Sequence, residues 1–311
     1  MKTATGERQD TPEAWPYLAL TAGVLCIAWS AIFVRWTDMP GPASAFYRML
    51  IPATVLIPTW FVGPKSPRVN RKTLMVIAVG GIFFALDLAF FNTSILQTSA
   101  ANATLLGNNT PVFVGLLGWV IFRQRPSAAF WIGLVLALAG SVVIVWGDLL
   151  RHFKLGWGDA MALTASACFA VYMIATERVR MTTGTLAFLR LAMISSAVFL
   201  LVINLALGIS LRIPAGHSWL ALLGLGFISQ LGGYLALTYA LGHLPATAAS
   251  ISLLSQGPLT AVLAAFILAE PLAGSQIVGG LLVLAGVGIA NRRMRPTGEV
   301  PANLLEVSEH K

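Results

Sequence analysis

Charge is scarce in this sequence. Asp, Glu, Lys and Arg together make up 10% of the chain, where a soluble domain carries about 25%. With 57% of its residues hydrophobic, a water-soluble form would expose large apolar patches, so lipid is the expected solvent for much of the surface. Cysteine is as sparse. The two present, Cys26 and Cys168, sit in apolar stretches without a Cys or His neighbour at ligand spacing, which removes the grounds for a disulfide framework or a zinc site. The four histidines, His152, His217, His243 and His310, fall in or near expected loops and the C-terminal tail. No HExxH, GxSxG, Walker or Rossmann pattern occurs. Hence no metal, no cofactor and no catalytic residue is expected, and ATP-driven work would require a partner. A formal net charge of +8 comes without a basic stripe interleaved with aromatics, so no nucleic-acid partner is expected.

What the chain does have is long apolar runs. Ten windows suffice to span a hydrocarbon core of roughly 30 Å: 16–34, 43–62, 73–94, 98–122, 128–147, 157–176, 185–207, 217–239, 245–269 and 273–290. The first follows Lys2, Glu7, Arg8, Asp10 and Glu13 and lacks a small-residue cleavage site, so it reads as the first helix and not a removed signal peptide. Placing the N-terminus in the cytoplasm puts Lys65, Arg68, Arg71, Lys72, Arg123, Arg125, Arg178, Arg180, Arg292, Arg293 and Arg295 on the inner side. Only Arg35, Arg151, Lys154 and Arg212 then lie outside, as the positive-inside rule requires.

The sequence also repeats itself. Pro111 matches Pro258 at an offset of 147, with Leu106/Leu253 and Leu116/Leu263. At an offset of 142, Ala45-Phe46-Tyr47-Arg48 matches Ala187-Phe188-Leu189-Arg190, with Cys26/Cys168 and Ala28/Ala170. Each half then holds five helices. An odd number reverses the second half in the membrane, so the halves should be related by a pseudo-two-fold axis in the membrane plane, the arrangement of many secondary transporters. The expected fold class is all-α integral membrane, with ten transmembrane helices as two inverted five-helix repeats. The divisions are a cytoplasmic tail at 1–15, a first repeat at 16–147, a second at 157–290 and a cytoplasmic tail at 291–311.

Several segments carry a family likeness: Ala28-Trp29-Ser30-Ala31-Ile32-Phe33, Phe46-Tyr47-Arg48, Asn109-Thr110-Pro111-Val112-Phe113, the Leu-x-Leu-Ala-Gly segments at 136–140 and 282–286, and Phe266-Ile267-Leu268-Ala269-Glu270-Pro271. Through them the chain resembles the drug/metabolite transporter superfamily, in its EamA-type members, over residues of roughly 17–290. The first half departs from the acidic turn, reading Phe122-Arg123-Gln124-Arg125-Pro126. The resemblance implies ten helices, both termini in the cytoplasm, alternating access and, often, export of amino acids or related metabolites.

Ionisable groups inside a span are costly unless they face a cavity or a partner. Three stand out: Arg48, Asp87 and Arg190. Arg48 and Asp87 have similar expected depths in the outer half, so they read either as a structural ion pair or as a substrate or proton site. Arg190 reads as a snorkelling side chain or as a clamp for a substrate carboxylate. At an offset of 147 Asp87 maps onto the neutral Tyr234, and that asymmetry favours function over architecture. Asn109 and Gln256 precede the helix-breaking Pro111 and Pro258, where each would either satisfy a freed carbonyl or line the path. Trp29, Tyr47 and Tyr234 are cavity candidates, and Gln230 shares a helix face with Tyr234. Gly133/Gly140 and Gly279/Gly286 give the fifth and tenth helices smooth faces for close contact, within the chain or in a homodimer.

The expected function is a secondary transporter in the bacterial inner membrane, exporting a small polar metabolite such as an amino acid or analogue. Proton coupling hangs on Asp87. The alternative is a membrane-embedded enzyme or a channel acting on a lipid-soluble or small solute.

Overall fold

In lipid a chain must satisfy its own backbone, and a single segment does so only as a helix. The computed structural model describes residues 14–59, 70–98, 100–123, 125–146, 156–180, 182–214, 216–267 and 272–292, and no strand occurs among them. In chain order the helices are α1 (Ala14–Ala28), α2 (Ser30–Trp36), α3 (Gly41–Leu56), α4 (Arg71–Gln97), α5 (Ala100–Gly107), α6 (Thr110–Phe122) and α7 (Ala128–Ile144). They continue as α8 (Trp157–Arg180), α9 (Thr185–Ala206), α10 (Gly216–Gly224), α11 (Gly233–Ala240), α12 (Ala246–Leu253), α13 (Gln256–Ile267) and α14 (Gly274–Asn291). A π-helical stretch, Leu225–Gly232, joins α10 to α11.

Eight helical segments among the described residues are long and apolar enough to cross a membrane: Ala14–Val34, Arg71–Ser94, Ala103–Ile121, Trp157–Arg180, Thr185–Ala206, Gly216–Ala240, Ala246–Ile267 and Gly274–Asn291. Ala128–Ile144 is a shorter apolar helix, and Gly41–Leu56 has 16 residues. The all-helical, multi-pass membrane architecture expected from composition is therefore present. Residues 1–13 and 293–311 of the tails, residues 60–69 (Trp60 and most of the basic loop), Gln124, His152 and the Glu270-Pro271 turn lie outside the described residues.

Local chemistry sets the helix ends. Asn70 accepts from the Thr73 amide at 2.8 Å, and Ser127 accepts from the Phe130 amide at 3.1 Å, each satisfying an orphan donor of a first turn. Proline stands at the start of α3 and of α6, where its missing donor costs nothing. The same residue type makes the interruption between α5 and α6 expected: Pro111 cannot continue the α5 ladder.

The core lies where α3, α4, α8 and α9 meet, and it is filled by fully buried Phe84, Met173, Phe188, Leu189 and Leu200. Polar pins fix this cluster. Asn92 of α4 donates to the Gly41 carbonyl at 2.9 Å, Asn204 of α9 donates to the Pro42 carbonyl at 3.0 Å, and Ser196 donates to the Gly81 carbonyl at 2.6 Å. Away from the core, apolar side chains point outward: Val120 is 75% exposed, Val135 68% and Leu220 72%. Such a band suits acyl chains and would be a liability in water.

A second cluster joins α7 to α14 through Phe130, Leu134, Ala137 and Val283. Their glycines allow the backbones to touch. A Cβ built on Gly140 would lie 2.6 Å from the Gly279 carbonyl oxygen, and one on Gly133 would strike that of Gly286. The two smooth faces are thus spent on each other within this chain.

Candidate functional site

Seven residues into α3 from Gly41, roughly 10 Å at 1.5 Å per residue, Arg48 points inward and is 6% exposed. Its Nε donates to Oε1 of Gln230 at 2.7 Å. Gln230 is fully buried, and it sits in the π-helical stretch, a geometry that occurs mostly as single-turn bulges at functional positions. The Arg48 guanidinium carbon also lies 5.8 Å from the Tyr234 ring centroid, within cation–π range. Tyr234 is held in turn by Phe84, 4.8 Å away between centroids, and by Phe169, edge-on at 6.4 Å.

Beside this group is a cavity of about 120 Å³. Arg48, Asp87, Tyr234, Asn108, Ser250 and Gln256 supply its polar lining, and Phe91, Phe169, Leu253 and Leu254 supply apolar surface. Asp87 reaches it from α4 and Pro111 from the start of α6. Residues at equivalent positions of the two halves both line it: Asp87 and Tyr234 at an offset of 147, and Ile27 and Phe169 at an offset of 142.

Of the residues singled out in the sequence, Arg48, Asp87, Tyr234, Gln256 and Pro111 line this cavity, and Gln230 supports Arg48. The others do not line it. Trp29 stacks on Phe33 at 5.8 Å, although its neighbour Ser30 is in the wall. Tyr47 donates to the Leu211 carbonyl at 2.8 Å and packs edge-on against Trp219. Asn109 turns back along α5, donating to the carbonyls of Leu105 and Leu106 at 3.0 and 3.1 Å. It thereby serves the chain break that Pro111 creates, and Asn108 faces the cavity in its place. Pro258 packs towards Gly280 of α14. Arg190 is 5% exposed and donates from Nη1 to Thr59 Oγ1 at 3.3 Å, a buried setting and not a snorkelling one.

A direct ion pair between Arg48 and Asp87, one of the two readings of these residues, is not formed by contact. Neither residue has an ion-pair partner among the described residues, where the exposed His217–Asp38 pair, at 2.8 Å, is of a different kind. Both charges face one cavity without closing on each other.

The model described as the EamA-like transporter family matches residues 14–146 and again 156–292. The chain belongs to the EamA-like transporter family. Among its relatives is the uncharacterized transporter YwfM of Bacillus subtilis (strain 168), 27% identical over 78% of this chain and 81% of that protein. An uncharacterized transporter of Archaeoglobus fulgidus is 27% identical over 87% of this chain and 95% of its own length. A third, from Streptantibioticus cattleyicolor, carries the name probable terminal-alkyne amino-acid exporter and is 28% identical over 75% of this chain and 77% of that protein. A solved crystal structure shares the fold, with a TM-score of 0.75 at 19% identity over 89% of this chain and 96% of that one. The relatives and the family are transporters by name, which points away from an enzyme.

Two features of this EamA-like chain carried no motif. Tyr172 stacks on Phe84 at 4.3 Å and so backs the Tyr234 wall; only its place beside other aromatics in a span could have flagged it. Asp159 accepts from Thr98 Oγ1 at 2.7 Å and from the Gly156 amide at 2.6 Å. It caps α8 and ties it to the end of α4, and its position in the first turn of a helix was the available signal.

Proposed function

We propose that this chain is a secondary transporter that exports a small polar metabolite, such as an amino acid or analogue, across the bacterial inner membrane by alternating access. The observation that carries the reading is the cavity itself. It lies among the helices of a membrane protein, it is lined by equivalent residues of both halves, and Arg48 and Asp87 face it. An inverted-repeat transporter binds solute between its repeats near the midplane, and intramembrane charges of this kind mark a solute or proton path.

In this reading the chain crosses the membrane ten times, with α1–α2, α3, α4, α5–α6 and α7 as the first repeat and α8, α9, α10–α11, α12–α13 and α14 as the second. Both termini lie in the cytoplasm. The two family matches, one per half, support the division, and the name of the Streptantibioticus relative supports the solute class. Proton coupling rests on Asp87, the acid among the cavity-lining residues.

Proteoliposome counterflow tests the function. Vesicles loaded with an unlabelled amino acid should take up the labelled form faster than empty ones, and a pH gradient should drive accumulation in the wild type and not in Asp87→Asn. Uptake that is indifferent to the solute on the opposite side would indicate an open pore and refute the carrier.

A further inference from the structure

The cavity is lined by one basic and one acidic side chain that do not touch. Arg48 commits Nε to Gln230, and its two Nη groups have no hydrogen-bond partner among the described residues. Asp87 likewise has neither hydrogen-bond nor ion-pair partner among them. A structural ion pair in a low-dielectric site gains by closing to contact, because a lone buried charge is the most costly state. The hydrogen bond to Gln230 and the Tyr234 ring face instead hold the guanidinium where it is.

Architecture does not call for the two charges. The repeat mate of Asp87 is the neutral Tyr234, which faces the same cavity. The mate of Arg48 is Arg190, which lies outside the cavity against Thr59. The second half builds the equivalent helices without placing either charge there. Both charges come from the first half, and they project into a space also walled by Phe91, Phe169 and Leu253.

We propose that the solute is a zwitterion that bridges Arg48 and Asp87. Its carboxylate takes the Arg48 Nη groups, its ammonium takes Asp87, and an uncharged side chain lies against Phe91, Phe169 and Leu253. The assignment rests on the transporter reading above and adds to it the charge pattern of the solute and the residue that reads each charge. A monocarboxylate leaves Asp87 unmatched, a monoamine leaves Arg48 unmatched, and a solute with a third charge brings one that the apolar wall cannot match. Arg48 selects by its planar donor fork, and Gln230 acts as the positioning residue that aims it.

Counterflow with a panel of neutral amino acids gives the test, each competed by its N-acetyl form and its carboxamide. In the wild type both blocked forms should compete about ten- to hundredfold more weakly than the parent, as expected when one charge-assisted hydrogen bond is lost. In Asp87→Asn the gap between parent and N-acetyl form should collapse while the carboxamide gap stays. In Arg48→Gln the reverse should hold. Membrane abundance is measured alongside, and the wild-type competition decides the matter even where a variant fails to accumulate. Exchange that tolerates both blocked forms overturns the zwitterion and leaves the carrier standing. Gaps that persist unchanged in abundant variants overturn the residue assignments. No exchange of any panel member by the wild type removes the amino-acid carrier and the zwitterion together.

Discussion

Arg48 and Gln230 stand 182 residues apart in the chain and 2.7 Å apart in space, guanidinium nitrogen to amide oxygen. The bond crosses from α3 to the π-helical stretch and thus from the first half of the chain to the second. Gln230→Leu takes the acceptor away from a buried charged donor, and a hydrogen bond to a charged group is worth about 1.5–3 kcal/mol. Detergent-solubilised Gln230→Leu should be less stable by about that amount, read as a lower melting temperature. Combined with Arg48→Met it should lose clearly less than the two single changes added together. Additivity to within about 0.5 kcal/mol would show that the two side chains are not coupled.

The α7–α14 seam gives a second expectation. A Cβ on Gly286 would meet the Ala137 amide nitrogen at 2.6 Å as well as the Gly133 carbonyl. Both obstacles are backbone and cannot swing aside. Gly286→Val should cost about 3 kcal/mol, the upper part of the usual overpacking range. Gly288 has nothing within 4 Å of a built Cβ, so Gly288→Ala should be neutral or stabilise by up to about 1 kcal/mol. Thermal melts of the two purified variants compare a tight glycine with an open one on the same helix, and equal melting points would refute the contact.

Orientation is open to labelling from one side. Thr182 and Ser210 are both exposed and flank α9. In a chain with Cys26 and Cys168 replaced by Ala, an impermeant maleimide added outside intact cells should react with Ser210→Cys and not with Thr182→Cys. The reverse pattern would turn the protein over in the membrane. Reaction at both positions would mean that α9 does not cross.

The helices were legible because in lipid a long apolar run has little choice of structure, and the chain break before Pro111 was legible because proline ends an α ladder locally. The glycine seam was legible as a periodicity, though not its partner: nothing local to Gly133 distinguishes Gly286 from the same face of a second copy. The site was read less well. Matched depth brought Arg48 and Asp87 to one cavity but left open whether they touch, because spacing along two helices fixes height and not rotation. Gln230 was placed on the face of Tyr234, but its bond to Arg48 depends on how the two halves dock and, with a π-helical stretch there, on a register that a regular helix does not have. Asn109 was given two roles by its place before a proline, and the carbonyls of Leu105 and Leu106 in α5 took it.

The contact between α7 and α14 also orders the birth of the molecule. Ribosomes release α7 long before α14, and until then the bare backbone around Gly133 and Gly140 has only lipid or a borrowed neighbour against it. The matching stripe on Gly279 and Gly286 arrives with the last described helix. During synthesis the first half therefore waits in the bilayer with an unfinished flank. That flank is covered only when α14 seats against it.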